Sequence, residues 1–347
     1  SSHSGRAPAR SGFTSVEGNY PTAQTCATGD ERSLCAKRPK RHEGPDQDRT
    51  LFRASFRICA LTYSVDQLAS ETKQPMEPLS IDELASRIPD GCLLAIPKDE
   101  GGVAMAATRA LIRRGARDLR LLCVPTSGLQ ADLLIGAGCA ASIECGAVTL
   151  DEHGLAPRFR TAAETGTIKI IDSTCPAIYA ALQAGEKGSP FAALRGVIGS
   201  DVARNRDDWK VIDNPFSESS DPVLLVPAIR PDIALFHARL ADRHGNVWIG
   251  NKREVIIMAH AAKRTLATYE EFFEGDLAAD ASYAAGTVAA LYLDGIAPAQ
   301  QGAWPLAFAH FYDADNAHLS AYAKAARTDE GFDRYLAEYV FKQPAVA

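Results

Sequence analysis

Asp99-Glu100-Gly101-Gly102 is the first stretch of this chain whose residue types and spacing invite chemistry. It follows a short apolar run, Cys92 to Ile96, and precedes an amphipathic run, Val103 to Arg114. Glycines at the entrance of a helix permit close backbone approach and leave free N–H groups, the donors that a developing oxyanion needs. Gly101 and Gly102 are therefore oxyanion candidates, and Glu100 beside them is a candidate substrate contact. Thr126-Ser127-Gly128-Leu129-Gln130 stands in the equivalent place after the next apolar run. There Ser127 and Gln130 can hydrogen-bond a carboxylate or acyl oxygen and Gly128 keeps the backbone near; an ordinary polar turn is the alternative. Glu144, in Ile143-Glu144-Cys145-Gly146, reads either as a substrate contact or as a polar strand end. Cys175 lies beside Pro176 at a helix start, which favours a thiolate, but no histidine is near in sequence.

Several other chemistries lack their motifs. There is no G-x-S-x-G elbow for a serine nucleophile and no G-x-x-x-x-G-K-[ST] phosphate cradle. Gly136-Ala137-Gly138 lacks the third glycine of a dinucleotide fingerprint. The eight cysteines form no C-x-x-C pair, so they read as reduced thiols of a cytoplasmic protein rather than a zinc ribbon or a disulfide framework.

The elements that must position these residues alternate between strand and helix. Strands are expected at Cys92 to Ile96, Leu119 to Val124, Ala141 to Cys145 and Thr167 to Ile171, with helices at Val103 to Arg114, Ala131 to Gly136, Ala156 to Thr165 and Pro176 to Ala184. Short apolar strands between amphipathic helices indicate an α/β fold with an open, mainly parallel sheet flanked by helices. The loops at the carboxyl ends of its strands, Pro97 to Gly102, Pro125 to Gln130 and Gly146 to Gly154, should form the binding crevice. Further strands read at Pro222 to Pro227, Ile233 to Ala241 and Val247 to Ile249, with a tight turn at His244-Gly245-Asn246. Leu319 to Phe341 reads as a helix that clamps the domain.

With 347 residues and 46% hydrophobic content the chain can build a sizeable core. A net charge of -6 argues against general attraction to nucleic acid or anionic lipid, and no apolar run reaches the length of a membrane span. Residues 1–75 are rich in Ser, Arg, Pro and Gln and nearly without apolar periodicity, so disorder is expected there. Met76 is the first methionine, and directly after it Leu79, Ile81, Leu84, Ala85 and Ile88 form a helical stripe behind a Ser80 cap. The expected division is a disordered or non-native extension over 1–75 and a folded domain over 76–347.

Four separated segments carry a family resemblance. They are Gly154-Leu155-Ala156-Pro157-Arg158-Phe159-Arg160; Gly188-Ser189-Pro190-Phe191 with Arg195-Gly196-Val197-Ile198-Gly199-Ser200-Asp201; Pro227-Ala228 and Pro231-Asp232-Ile233-Ala234 with Ala241-Asp242 and Gly245-Asn246; and Tyr322-Ala323 through Tyr339-Val340. In this order they resemble the alpha-type (A) subunits of family I CoA-transferases, the glutaconate CoA-transferase branch in particular.

That resemblance implies the CoA-transferase (NagB-RpiA-like) superfamily fold and an enzyme that moves CoA between an acyl-CoA and a carboxylic acid. It implies that the partner is a beta subunit, in a heterodimer or heterotetramer, and places the catalytic glutamate there. The alpha chain then supplies the acyl pocket and oxyanion donors. CoA thioester enters as substrate; no permanently bound cofactor, metal, nucleic acid or membrane is implied. Pro97 to Gly102 departs from the Gly-Gly-Phe strand and Gly-x-Pro turn of many such subunits. An alternative on the same fold is a two-subunit hydrolase of CoA thioesters or carbon–carbon bonds, whose acid lies around the segment Asp172 to Cys175. A further one is a non-catalytic ligand-sensing module.

Overall fold

The computed structural model describes residues 75–342. The expectations for residues 1–74, with Cys26, Cys35 and Cys59, lie outside the described residues.

The first helix, α1 (Ile81–Ser86), starts where the sequence caps it. The Glu83 N–H donates to Ser80 Oγ at 3.2 Å while the Ser80 N–H donates to Glu83 Oε2 at 2.8 Å, a reciprocal capping box. Leu84 and Ile88 are fully buried beneath it, each contributing about 1.5–3 kcal/mol of transfer free energy. The chain then alternates as expected: β1 (Leu93–Pro97), α2 (Met105–Arg114), β2 (Leu119–Val124), α3 (Leu129–Gly136), β3 (Ala140–Cys145), α4 (Pro157–Thr165), β4 (Lys169–Asp172) and α5 (Cys175–Lys187). The strand Leu119–Val124 falls where the sequence reading puts it, and other boundaries move by at most three residues. Cys175 opens α5, one residue before its expected start at Pro176.

Between α5 and the next long strand come β5 (Phe191–Leu194), a one-turn α6 (Asp201–Arg204), β6 (Lys210–Asp213) and β7 (Pro222–Pro227). They form a separate antiparallel sheet, β5-β7-β6. The remaining elements are β8 (Ile233–Asp242), β9 (Val247–Trp248), α7 (Arg253–Ala261), β10 (Arg264–Phe273), β11 (Thr287–Val288), β12 (Leu293–Pro298), α8 (Asn316–Ala325) and α9 (Asp329–Leu336). The main sheet runs β12-β10-β8-β1-β2-β3-β4, each neighbouring pair parallel, and the hairpin strand β9 carries β11 beyond the end of β8. From β1 the chain winds outward to β4; from β8 it winds the opposite way to β12. The reversal lies between β1 and β8, where a parallel sheet leaves a crevice at its carboxyl edge.

Alternate residues of the strands feed two cores, one on each face. Leu94 and Ile96 of β1 pack with α1, α2, α3 and the C-terminal helices. Ala95, with Leu122 and Val124 of β2, packs against Ile178 and Leu182 of α5 and Val255 and Met258 of α7.

The expected single helix over Leu319 to Phe341 is two. α8 ends at Ala325, and α9 restarts behind Thr328, whose Oγ1 accepts the Gly331 N–H at 3.1 Å. Gly331 packs so tightly on the Ala325 carbonyl that no side chain fits there. The clamp itself is present: Tyr322 is fully buried and donates its hydroxyl to Asp132 Oδ2 at 2.7 Å.

The motifs behind the family resemblance are architectural. Pro157 opens α4, the Phe159 N–H donates to Asp132 Oδ1 at 2.7 Å, and Arg158 lies over the Phe332 ring and pairs with Asp329 at 2.6 Å. Asp242 is the hub of the β8–β9 turn. Its carboxylate accepts the N–H groups of His244, Asn246 and Leu277 and the Asn246 side-chain amide, all within 2.8–3.0 Å, and Gly245 takes the positive φ of 82°. The expected tight turn at His244-Gly245-Asn246 is thus a structural one.

Candidate active site

The three loops expected to form the crevice do converge. Asp99, in the one-turn helix Asp99–Gly101 after β1, reaches across to the start of α3. Its carboxylate accepts the N–H groups of Gly128 at 3.1 Å and Leu129 at 3.3 Å. Gly128 precedes α3 and has no side chain to cap it, so Asp99 caps that helix from another loop. The loop after β3 joins through Thr149 N to Ser127 O at 3.1 Å and Gly146 N to Pro125 O at 2.9 Å. Burial pushes the Asp99 carboxyl up to about 7; the two N–H bonds oppose this, and Asp151 and Glu100 add to it.

Gly102 has φ 91° and its carbonyl accepts the His237 N–H at 2.7 Å, fastening the β1 loop to β8. His237 is buried in β8 and begins a second network. Its Nδ1 faces Thr268 Oγ1 at 2.7 Å and its Nε2 faces Glu270 Oε1 at 2.9 Å. Burial lowers the His237 pKa. Burial raises that of Glu270, but the bonds from His237 and Tyr312 outweigh it and hold the carboxylate below its ordinary range. The pair is therefore a neutral imidazole donating through Nε2 to an ionised carboxylate, with Thr268 donating to Nδ1. Glu270 also accepts the Tyr312 hydroxyl at 2.6 Å and the N–H groups of Gln301 and Gly302 at 2.9 and 3.0 Å. Tyr312 in turn accepts the Ala303 N–H at 2.9 Å. One buried carboxylate thus shapes the long connection from β12 to α8.

That connection closes a cavity of about 630 Å³ over the β1 loop. Asp99, Glu100, Leu150, Asp151, Lys252 and Phe311 are among its lining residues. His153 pins the loop beyond β3 to α8, with Nδ1 3.1 Å from Ser320 Oγ and Nε2 3.2 Å from Asn316 Oδ1.

Of the residues singled out in the sequence, Glu100 lines this cavity. Gly101 is buried against Pro97, and Gly102 lies at the junction with β8. Gly128 is wedged between Asp99 and the Thr149 carbonyl, 2.5 Å from where a Cβ would stand. Ser127 is buried with its hydroxyl unpaired. Gln130 is fully buried, donates to Thr108 Oγ1 at 2.9 Å and leaves Oε1 unpaired. Glu144 lies apart from the cavity lining, in a 2.8 Å ion pair with Arg206, which stacks on Trp209. Cys175 is an exposed free thiol near Gly146. Asp172 is exposed at the end of β4.

Sequence reasoning passed over Glu270, His237, Tyr312, Asp151 and Lys252. A signal was present for two of them: Tyr312 lies in the long, aperiodic, aromatic stretch between β12 and α8, a kind of connection that usually serves a site, and Asp151 lies in the expected crevice loop Gly146 to Gly154.

A profile of the family described as Coenzyme A transferase matches residues 79–289. The chain belongs to the coenzyme A transferase family. It is similar to the A subunit of 3-oxoadipate CoA-transferase from Pseudomonas knackmussii, 33% identical over 76% of this chain and 93% of that one. The A subunit of glutaconate CoA-transferase from Acidaminococcus fermentans is 31% identical over 68% of this chain and 78% of its own. The crystal structure of that enzyme superposes with a TM-score of 0.69 at 26% identity, covering 76% of this chain and 89% of the solved one. A third relative, the cholesterol ring-cleaving hydrolase IpdA subunit of Rhodococcus jostii, is 26% identical over 76% of this chain and 91% of its own. Within the family the chain is of the A, or alpha, type, and transfer of CoA is its reaction. No helix among the described residues is long and apolar enough to cross a membrane.

Proposed function

We propose that this chain forms the acyl-binding half of a heteromeric CoA-transferase in the cytoplasm, and that a beta subunit completes the site with its catalytic glutamate. The observation that carries this reading is the cavity built where the loops after β1 and β3 meet the long β12–α8 connection, at the carboxyl edge where a parallel sheet binds its ligands. In the reaction the partner's glutamate attacks the acyl-CoA thioester and CoA thiolate leaves. The thiolate then attacks the glutamyl carbonyl of the mixed anhydride, releasing the first acid as its carboxylate and leaving a glutamyl-CoA thioester; the second acid's carboxylate displaces CoA from it, and the thiolate takes the new acyl group and frees the glutamate. Each addition forms a tetrahedral oxyanion, which this chain stabilises with preorganised donors.

Glu100, in the cavity lining, is the proposed substrate neighbour, with Gly102, Ser127, Gly128 and Gln130 as proposed acyl-pocket residues outside that lining; the Gly101 N–H is already given to the Lys98 carbonyl at 2.7 Å, so Gly101 is proposed to shape the loop rather than to donate to an oxyanion. The unpaired buried hydroxyl of Ser127 supports its place in this set, because such a group costs stability unless something pairs with it. Glu144 is better suited to holding Arg206 than to touching substrate. CoA thioester enters as a substrate rather than as a resident group.

The test is co-expression with a beta subunit, followed by assay of CoA exchange between acetyl-CoA and a panel of carboxylic acids. Acceptor-dependent exchange is expected. Release of CoA and free acid without any acceptor overturns transfer in favour of hydrolysis.

A further inference from the structure

The charge of the cavity narrows what it can accept. Its lining holds the carboxylates of Glu100, Asp151, Glu152 and Asp313 beside the buried Asp99, whose carboxyl is pushed up to about 7, against the single lysine Lys252, the histidines His153 and His310, and no arginine. The rest of the lining includes Leu150, Leu306, Phe311 and Leu319. The carboxylates already act on one another: burial raises the Asp151 pKa, and Glu100 and Glu152 raise it further. Their combined effect is a negative field over a space that Leu150, Leu306, Phe311 and Leu319 make apolar in part.

We propose that this cavity takes acyl chains without a second carboxylate, and that Asp151, Glu152 and Asp313 set the preference. The inference rests on the reading of the cavity as the acyl site. A chain ending in a methyl group replaces water against the leucines and Phe311 and gains from the contact. A chain ending in a carboxylate must bring a further negative charge among those of Glu100, Asp151, Glu152 and Asp313, with one lysine to meet it, and juxtaposed like charges are strongly unfavourable. Glutaconate and 3-oxoadipate, the acids for which the two transferase relatives are named, each carry two carboxylates. This chain would differ from those relatives in substrate class.

The experiment uses the co-expressed pair and follows the consumption of butanoyl-CoA and of succinyl-CoA, thioesters of equal carbon number that differ in the distal carboxylate. The same two rates are then measured on the triple variant Asp151→Asn, Glu152→Gln, Asp313→Asn. Glu152 and Asp313 are exposed, and Asp151 has φ 49°, a conformation asparagine adopts readily, so the fold tolerates all three. The expected result is kcat/KM at least about tenfold higher for butanoyl-CoA, with the ratio falling severalfold in the variant because succinyl-CoA improves. Equal use of the two thioesters, or a ratio that the variant leaves unchanged, overturns the inference while leaving transfer intact. Consumption without an acceptor overturns transfer, and the ratio still decides the inference. If neither thioester is consumed, the acyl-site reading and the inference fall together.

Discussion

Replacing Asp99 with asparagine should stabilise the protein at pH 8 and do little at pH 5. The unfolded carboxyl titrates near 3.8 and the folded one at about 7. The folded state therefore keeps its proton over a range in which the unfolded state releases it, and wild-type stability falls as pH rises from about 4 to about 7, then levels off. At 1.36 kcal/mol for each pH unit between the two values, the buried carboxyl costs about 4 kcal/mol at pH 8 and about 1.6 kcal/mol at pH 5. The asparagine side chain does not ionise and carries no such cost at either pH. It keeps one oxygen for the Gly128 N–H and loses the acceptor for the Leu129 N–H, which removes about 1 kcal/mol. The net effect of Asp99→Asn is near zero at pH 5 and a gain of about 2–3 kcal/mol at pH 8, a rise in Tm of roughly 5 °C or more. Differential scanning calorimetry of both proteins at the two pH values measures this. A Tm difference that does not grow between pH 5 and pH 8 would refute the claim that Asp99 is held protonated by burial.

Gly102→Ala should cost more than about 2 kcal/mol, because φ is 91° and a Cβ would collide with the His237 carbonyl; chemical denaturation would show the lowered midpoint. Tyr312→Phe strips Glu270 of one donor and leaves the Ala303 N–H without its acceptor, so about 1–3 kcal/mol of stability should be lost and KM for acyl-CoA should rise as the cavity wall loosens. Arg206→Met leaves Glu144 unpaired in a largely buried place and should destabilise by about 3–5 kcal/mol. Adding Glu144→Gln to Arg206→Met should recover part of that loss in the same melts; an additive loss would mean that the pair has no coupling.

The parallel sheet was legible because its strands are buried on both faces and so appear as short apolar runs, Leu119 to Val124 being the clearest. Loops at their ends were legible for the same reason, since the sheet alone fixes which ends face the crevice. What could not be read were contacts between segments far apart in sequence. Nothing near Glu270 announces that it will meet His237, Tyr312 and two backbone N–H groups from three different segments. Asp99 looked like the neighbour of two glycines, whereas its role is to cap a helix that begins 30 residues later. The break between α8 and α9 hid inside a strong helical pattern, because Thr328 and Gly331 interrupt it without disturbing the spacing of Tyr322, Phe332 and Tyr335. The family segments were recognisable, yet they mark how the chain is buttressed rather than where its chemistry happens.

The buttress formed by Tyr322, Asp132 and the Phe159 N–H carries a consequence for how the protein is made. Strands β1 to β4 leave the ribosome before α8 and α9, yet the face they share with α2, α3 and α4 is sealed by Leu319, Tyr322, Phe332 and Tyr335, which are translated after them. Until then Asp132 lacks the phenol that it accepts, and a broad apolar surface faces the solvent. A ribosome stalled before α8 should therefore present that face uncovered, and limited proteolysis should cut the stalled chain more readily than the finished protein.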